Sequence, residues 1–273
     1  MNDPLSPLTV PPPRYLLESD SSDEEGQGSY PATAPGPSTK PKIRINDGIQ
    51  VDITGLKDEV DEVVVGLGQA GRYILKGVQG EKIGGIKIGS KNVGGVTKVG
   101  KNTVVSIEEG ELGGDECWEV VKSLVGKVKA KKWTIVTSYV PSMYIPPPSE
   151  RGERLDNSPI RILSCDILAV EGTKCFDSPN YLTGIAGGLV SLASHPTSSI
   201  AQPNTILLPL PLSSLPSSQI HSTLKLISPG ISDTFGQSNK RWTQDDDEPY
   251  SAPGMGRVRG LRKGVGEVSS MYM

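Results

Sequence analysis

Apolar positions in the middle of the chain follow two periods, and both fade toward its ends. Val63-Val64-Val65-Gly66-Leu67 is a short β-branched run with acids before it and glycines after it, which predicts a buried strand. Thr103-Val104-Val105-Ser106-Ile107, Trp133 to Val140, Ile160-Arg161-Ile162-Leu163 and Thr205-Ile206-Leu207-Leu208 predict further strands. Between Gly77 and Gly100, Ile86-Lys87-Ile88 and Gly94-Gly95-Val96-Thr97-Lys98-Val99 read as short strands or a glycine-rich loop. Its Lys-Ile-Gly-Gly type of repeat is too short for a solenoid.

Helical spacing separates these runs. Cys117, Val120, Val121, Leu124, Val125 and Val128 form one apolar face after a cap at Asp115. A second helix is expected to start at Ser178 and Pro179 and to carry Leu182, Ile185, Ala186, Leu189, Val190 and Ala193. Gly184, Gly187 and Gly188 on it imply close approach of another element. Ile220, Leu224 and Ile227 predict a last helix ending at Ser228-Pro229-Gly230. Strands alternating with helices imply an α/β fold: a central mostly parallel or mixed sheet with helices on both faces.

Composition sets the limits of that domain. Gly (32) and Pro (23) are abundant among the 273 residues, and only 35% are hydrophobic. Nine prolines and the run Glu18-Ser19-Asp20-Ser21-Ser22-Asp23-Glu24-Glu25 lie in residues 1–45, so that segment is expected to be disordered. Its serines suit an acid-directed kinase, and a solubilising tail is the simpler reading. The expected organisation is a disordered tail over 1–45, a single α/β domain over 46–229 and a flexible tether over 230–273.

Charge and cysteine content exclude several classes. A net charge of −3 disfavours a general nucleic-acid binder. Neither a membrane-spanning apolar run nor a secretory leader is visible, so no membrane partner is expected. Cys117, Cys165 and Cys175 suit a reducing compartment such as the cytoplasm.

Candidate chemistry is thin. Gly66-Leu67-Gly68-Gln69-Ala70-Gly71 matches G-x-G-x-x-G after a strand, which would make a nucleotide-binding enzyme. The helix expected after it is short and no acidic strand end stands at the right distance, so a tight strand-to-helix turn is the favoured reading. His195 suits a helix end, His221 falls on the last helix, and no H-E-x-x-H, C-x-x-C or G-x-S-x-G occurs. The carboxylates cluster in tails and loops and not at strand ends. No catalytic residue, cofactor or metal ligand is assigned.

The chain closes on Met271-Tyr272-Met273: a hydrophobic residue, a tyrosine and one more residue. A tether of ~40 residues would carry it roughly 35 Å from the fold. The ring and a carboxylate suit insertion into a protein pocket.

With Glu62 to Gly68, Asn102 to Gly126, Trp133 to Val140 and Ser178 to Leu210 in the same order, the sequence resembles the proteasome assembly chaperone 1 family in its fungal form. The resemblance implies a non-catalytic chaperone, in cytoplasm and nucleus. It implies a heterodimer with a second, related chaperone and binding to α subunits of the 20S proteasome ring. The Met271, Tyr272 and Met273 tail would be the docking anchor.

Overall fold

The computed structural model describes residues 48–249 apart from 57–58, 151–157, 165–171, 197, 199 and 239. Nine strands among the described residues form a single mixed sheet in the order β1-β3-β4-β5-β2-β6-β9-β7-β8. They are β1 (Val51–Ile53), β2 (Glu59–Leu67), β3 (Glu81–Ile88), β4 (Lys91–Val99), β5 (Asn102–Ile107), β6 (Lys129–Tyr139), β7 (Ile160–Leu163), β8 (Thr173–Cys175) and β9 (Asn204–Pro209). The centre, β5-β2-β6-β9, is parallel. Antiparallel strands flank it on one side, and antiparallel β7 with parallel β8 on the other. The glycine-rich stretch is therefore the β3–β4 hairpin, turning at Gly89 with a positive φ of 56°.

The helices are α1 (Gly68–Gly77), α2 (Gly114–Lys127), α3 (Gly184–Ala193), α4 (Ser217–Ile227) and the single turn α5 (Pro229–Ser232). The pleat sends alternate residues of β2 to opposite faces. Val63, Val65 and Leu67 pack with Val120, Val121, Leu124, Ile185 and Leu189 of α2 and α3. Val64 packs with Ile74, Ile220, Leu224 and Ile231 of α1, α4 and α5. Both faces of the sheet are thus covered, as the alternation of elements requires.

Three expectations shift. Helix α3 begins at Gly184 with Thr183 as its flanking residue, not at Ser178-Pro179. Gly184 stands at φ 60°, so a right-handed helix cannot run through it from Pro179, and the residues before it are instead tied to Ile145, whose N–H and carbonyl bond the Asn180 amide at 2.9 and 2.8 Å. Helix α2 begins at Gly114 behind Gly113, whose N–H donates to Glu116 Oε2 at 2.8 Å, so Asp115 is inside the helix and not its cap. Order does not fade at Gly230. Phe235 is buried against Tyr73, with ring centroids 6.0 Å apart, and the Gly236 N–H donates to the Gly77 carbonyl at 2.8 Å. Packing continues to Glu248. The segments 1–45 and 250–273 lie outside the described residues.

Candidate interaction surfaces at the carboxyl end of the sheet

From β2 the chain first builds β5 on one side and then returns to place β6 on the other. The carboxyl ends of β2 and β6 therefore flank the point where an open α/β sheet leaves a crevice. The two faces of the molecule finish that end differently.

On the α1 face stands Gly66 to Gly71. Gly68 starts α1 at φ 52°, a backbone region that favours glycine. A Cβ on Gly66 would lie 2.6 Å from the Gly71 Cα, and one on Gly71 would strike the Gly66 carbonyl. Close packing of strand on helix thus accounts for these glycines without a nucleotide. Helix α1 is ten residues long, longer than the sequence promised, because Gly77 serves as its last residue under the Phe235 ring.

The cationic groups of α1 already hold carboxylates. Arg72 donates through Nη1 and Nη2 to the two oxygens of Glu248, each at 2.7 Å, and its Nε lies 3.3 Å from Glu108. This fork raises the guanidinium pKa. Burial pushes the Glu108 carboxyl up, against the pull of Arg72. Lys76 pairs with Asp246 at 2.5 Å and holds that carboxyl down at about 2, helped by the Thr243 N–H and hydroxyl. Gln69 pairs its amide with both backbone groups of Glu248, at 2.6 and 3.1 Å. Asp247 accepts from the N–H groups of Leu212 and Ser213 at 3.1 and 3.3 Å and from the Trp242 indole at 2.9 Å. A pyrophosphate here would meet Glu108 and Glu248.

On the α3 face lies an apolar groove of about 410 Å3. Its lining includes Tyr139, Met143, Tyr144, Ile145, Tyr181 and Leu182, and no Asp, Glu, Lys, Arg or His takes part. Of the five large hydrophobic side chains exposed among the described residues, three border this groove: Tyr181 (80%), Met143 (69%) and Ile145 (51%). A fourth, Trp118 (43%) of α2, lies beside Gly188 of α3. Helix α3 carries no ionisable side chain, yet Gly187, Gly188, Val190 and Leu192 are only half-buried. Apolar on every side, such a helix ordinarily sits inside a core.

Groove geometry is fixed from below. Tyr144 meets Tyr139 edge-on and Phe176 at a tilt, with centroids 5.8 and 5.7 Å away, and the Arg161 guanidinium lies 3.6 Å from its ring centre. Arg161 is buried and bonds Glu150 at 2.7 Å and the Cys175 carbonyl at 2.8 Å. The Tyr139 hydroxyl donates to the Pro159 carbonyl at 2.5 Å, and burial pushes its pKa up to about 12.

One carboxylate corrects the sequence reading. Glu108 and Glu109 directly follow the carboxyl end of β5, so acids do stand at a strand end. Glu109 is buried, and its Oε2 accepts from the Ile185 N–H at 3.2 Å at the start of α3. Burial pushes its pKa up to about 7. Its only sequence signal was a position just past an apolar strand.

His195 and His221 are exposed, Cys117 is buried and Cys175 exposed, and Cys165 lies outside the described residues. Among the described residues no group of three or more His, Cys, Asp or Glu could hold a metal ion, and no helix is long and apolar enough to cross a membrane. Met271, Tyr272 and Met273 fall outside the described residues.

No family model and no curated protein matches the chain. Among solved structures it is similar to Pyrococcus furiosus PbaA, described as an archaeal homolog of proteasome-assembly chaperone. That likeness has 14% identity and a TM-score of 0.47, covering 67% of this chain and 91% of the other. A Thermoplasma acidophilum protein of unknown function is similar at 15% identity and TM-score 0.46, over 63% of this chain and 78% of that one. A Corynebacterium glutamicum protein of unknown function is similar at 14% identity and TM-score 0.39, over 67% of this chain and 79% of that one.

Proposed function

We propose that this chain is a proteasome assembly chaperone that works by binding and not by catalysis. The observation that carries the reading is the uncharged apolar face of α3, with Trp118 beside it and a groove bordered by Met143, Ile145 and Tyr181. Exposed apolar surface of this kind marks a protein-binding face. In this reading the face receives a second, related chaperone to form a heterodimer. Met271-Tyr272-Met273 then engages α subunits of the 20S proteasome ring, with Tyr272 seated in a pocket between subunits. The order of elements in the sequence and its hydrophobic-Tyr-X close support this assignment. The chaperone would work in cytoplasm and nucleus, which agrees with the sparse cysteines.

The test is capture of α-ring intermediates from native lysate by the tagged full chain. Tyr272→Ala, or deletion of 271–273, should sharply reduce the α subunits recovered while the melting curve stays unchanged. Undiminished recovery would sink the docking role. Tyr181→Ser with Met143→Ser should remove the second chaperone from the same pull-down. Its retention would place the heterodimer contact elsewhere.

A further inference from the structure

Residues 243–249 cross the carboxyl end of the parallel strands on the α1 face: Gln244–Asp246 make one 3-10 turn capped by Asp246 on Thr243, and Asp247 leaves it in extended backbone. None of Thr243 to Pro249 is buried. No apolar side chain holds the segment down. Polar contacts hold it: the Arg72 fork on Glu248, Lys76 on Asp246, Gln69 on both backbone groups of residue 248, and the Leu212 and Ser213 N–H groups with the Trp242 indole on Asp247.

This is a recognition geometry. An amide that pairs with a residue's N–H and carbonyl together reads extended backbone, and a two-pronged guanidinium reads carboxylate. The contacts also sit beside the crevice where open α/β sheets take their ligands. The attachment is weak for its contact count. Arg72 and Glu248 side chains are 34% and 58% exposed, and ion pairs so open to water contribute little. Before the segment the last buried side chain among the described residues is Phe235, and the half-buried Trp242 ring, 5.5 Å from Tyr73, is its nearest apolar contact. A stretch without buried apolar contacts opens at far lower cost than the fold.

We infer that Gln69, Arg72, Lys76 and the Leu212–Ser213 backbone form a binding site for an acidic peptide that leaves a single 3-10 turn in extended form, closed in this structure by the chain's own Asp246-Asp247-Glu248. A partner segment with two or three consecutive carboxylates competes with the strap for the same donors. The strap sets the threshold for entry, since it is present at a fixed local concentration. The site stands on the opposite face of the sheet from the apolar groove and does not depend on the function proposed above.

The experiment uses the full chain with Asp246→Asn and Glu248→Gln. Strap release is read as a red shift of Trp242 fluorescence and a roughly tenfold faster tryptic cut after Lys240 or Arg241, with the global melt retained. A labelled peptide of residues 243–249 (Thr-Gln-Asp-Asp-Asp-Glu-Pro) should then bind the variant at least roughly tenfold more tightly than the wild-type chain. Arg72→Gln added to the variant should abolish binding, and a peptide with Asn and Gln in place of the acids should not bind. If the double variant loses its cooperative melt, Glu248→Gln alone, which loosens the strap and leaves every donor of the site intact, provides the same comparison. An unreleased strap would overturn the inference. So would a released chain that ignores the acidic peptide or that takes up a dinucleotide in its place.

Discussion

Glu109 Oε2 accepts a hydrogen bond from the Ile185 backbone N–H at 3.2 Å, joining the end of β5 to the start of α3 across 76 residues. The carboxyl is buried and its pKa stands near 7 against an ordinary 4.5. Between those values the folded chain binds more protons than the unfolded chain, so stability falls as pH rises from about 4.5 to about 7. The loss across that window is on the order of 3 kcal/mol. Glu109→Gln keeps an oxygen for the Ile185 N–H and removes the titration. Melts of the variant between acid and neutral pH should be flatter than those of the wild-type chain.

Gly71→Ala should destabilise the fold by ~1–3 kcal/mol, because the new methyl strikes the Gly66 carbonyl and neither backbone can yield. Gly126→Ala provides the contrast. It lies in α2 with nothing within 4 Å of its added Cβ, so it should stabilise by up to ~1 kcal/mol. Urea midpoints of the two variants should move in opposite directions.

Arg161→Met removes the cation that faces Glu150 and covers the Tyr144 ring. Glu150, with a side chain only 12% exposed, is then left without its cationic partner, at a cost of about 3–5 kcal/mol. Equilibrium unfolding should show that loss. Hydrogen exchange should accelerate first in β7 and β8, which Arg161 ties together.

Tyr181→Ser should leave the melt within about 0.5 kcal/mol of the parent, because the ring is mostly in solvent. Binding of an apolar dye such as ANS should nevertheless fall, since the groove loses one wall. An unchanged dye signal with an unchanged melt would show that the groove is not an accessible apolar surface.

The fold was largely legible because its parallel strands are buried on both sides. Thr103 to Ile107 and Trp133 to Val140 are near-continuous β-branched and aromatic runs that suit no solvent-facing element. The helix spacing of Cys117 to Val128 was equally plain. Where the reading slipped, a distant partner decided. Ser178-Pro179 has the local form of a helix start, but Asn180 is held by the backbone of Ile145, 35 residues away. Residues 243–248 read as a linker because they carry no apolar periodicity, yet Arg72 and Lys76 reach Glu248 and Asp246 across 176 and 170 residues. The groove was hidden for a related reason. Met143 and Ile145 lie 36 or more residues before Tyr181 and meet it only because the stretch after β6 lies beside the approach to α3.

The sheet's two margins are its shortest strands. β1 and β8 have three residues each, whereas β2 and β6, with nine and eleven, lie inside. A growing stack of chains would need a long row of free backbone donors and acceptors along a margin. Among the described residues these margins offer only a few, and on β8 the Cys175 carbonyl is already held by Arg161. Strand-by-strand polymerisation is thereby starved of a template.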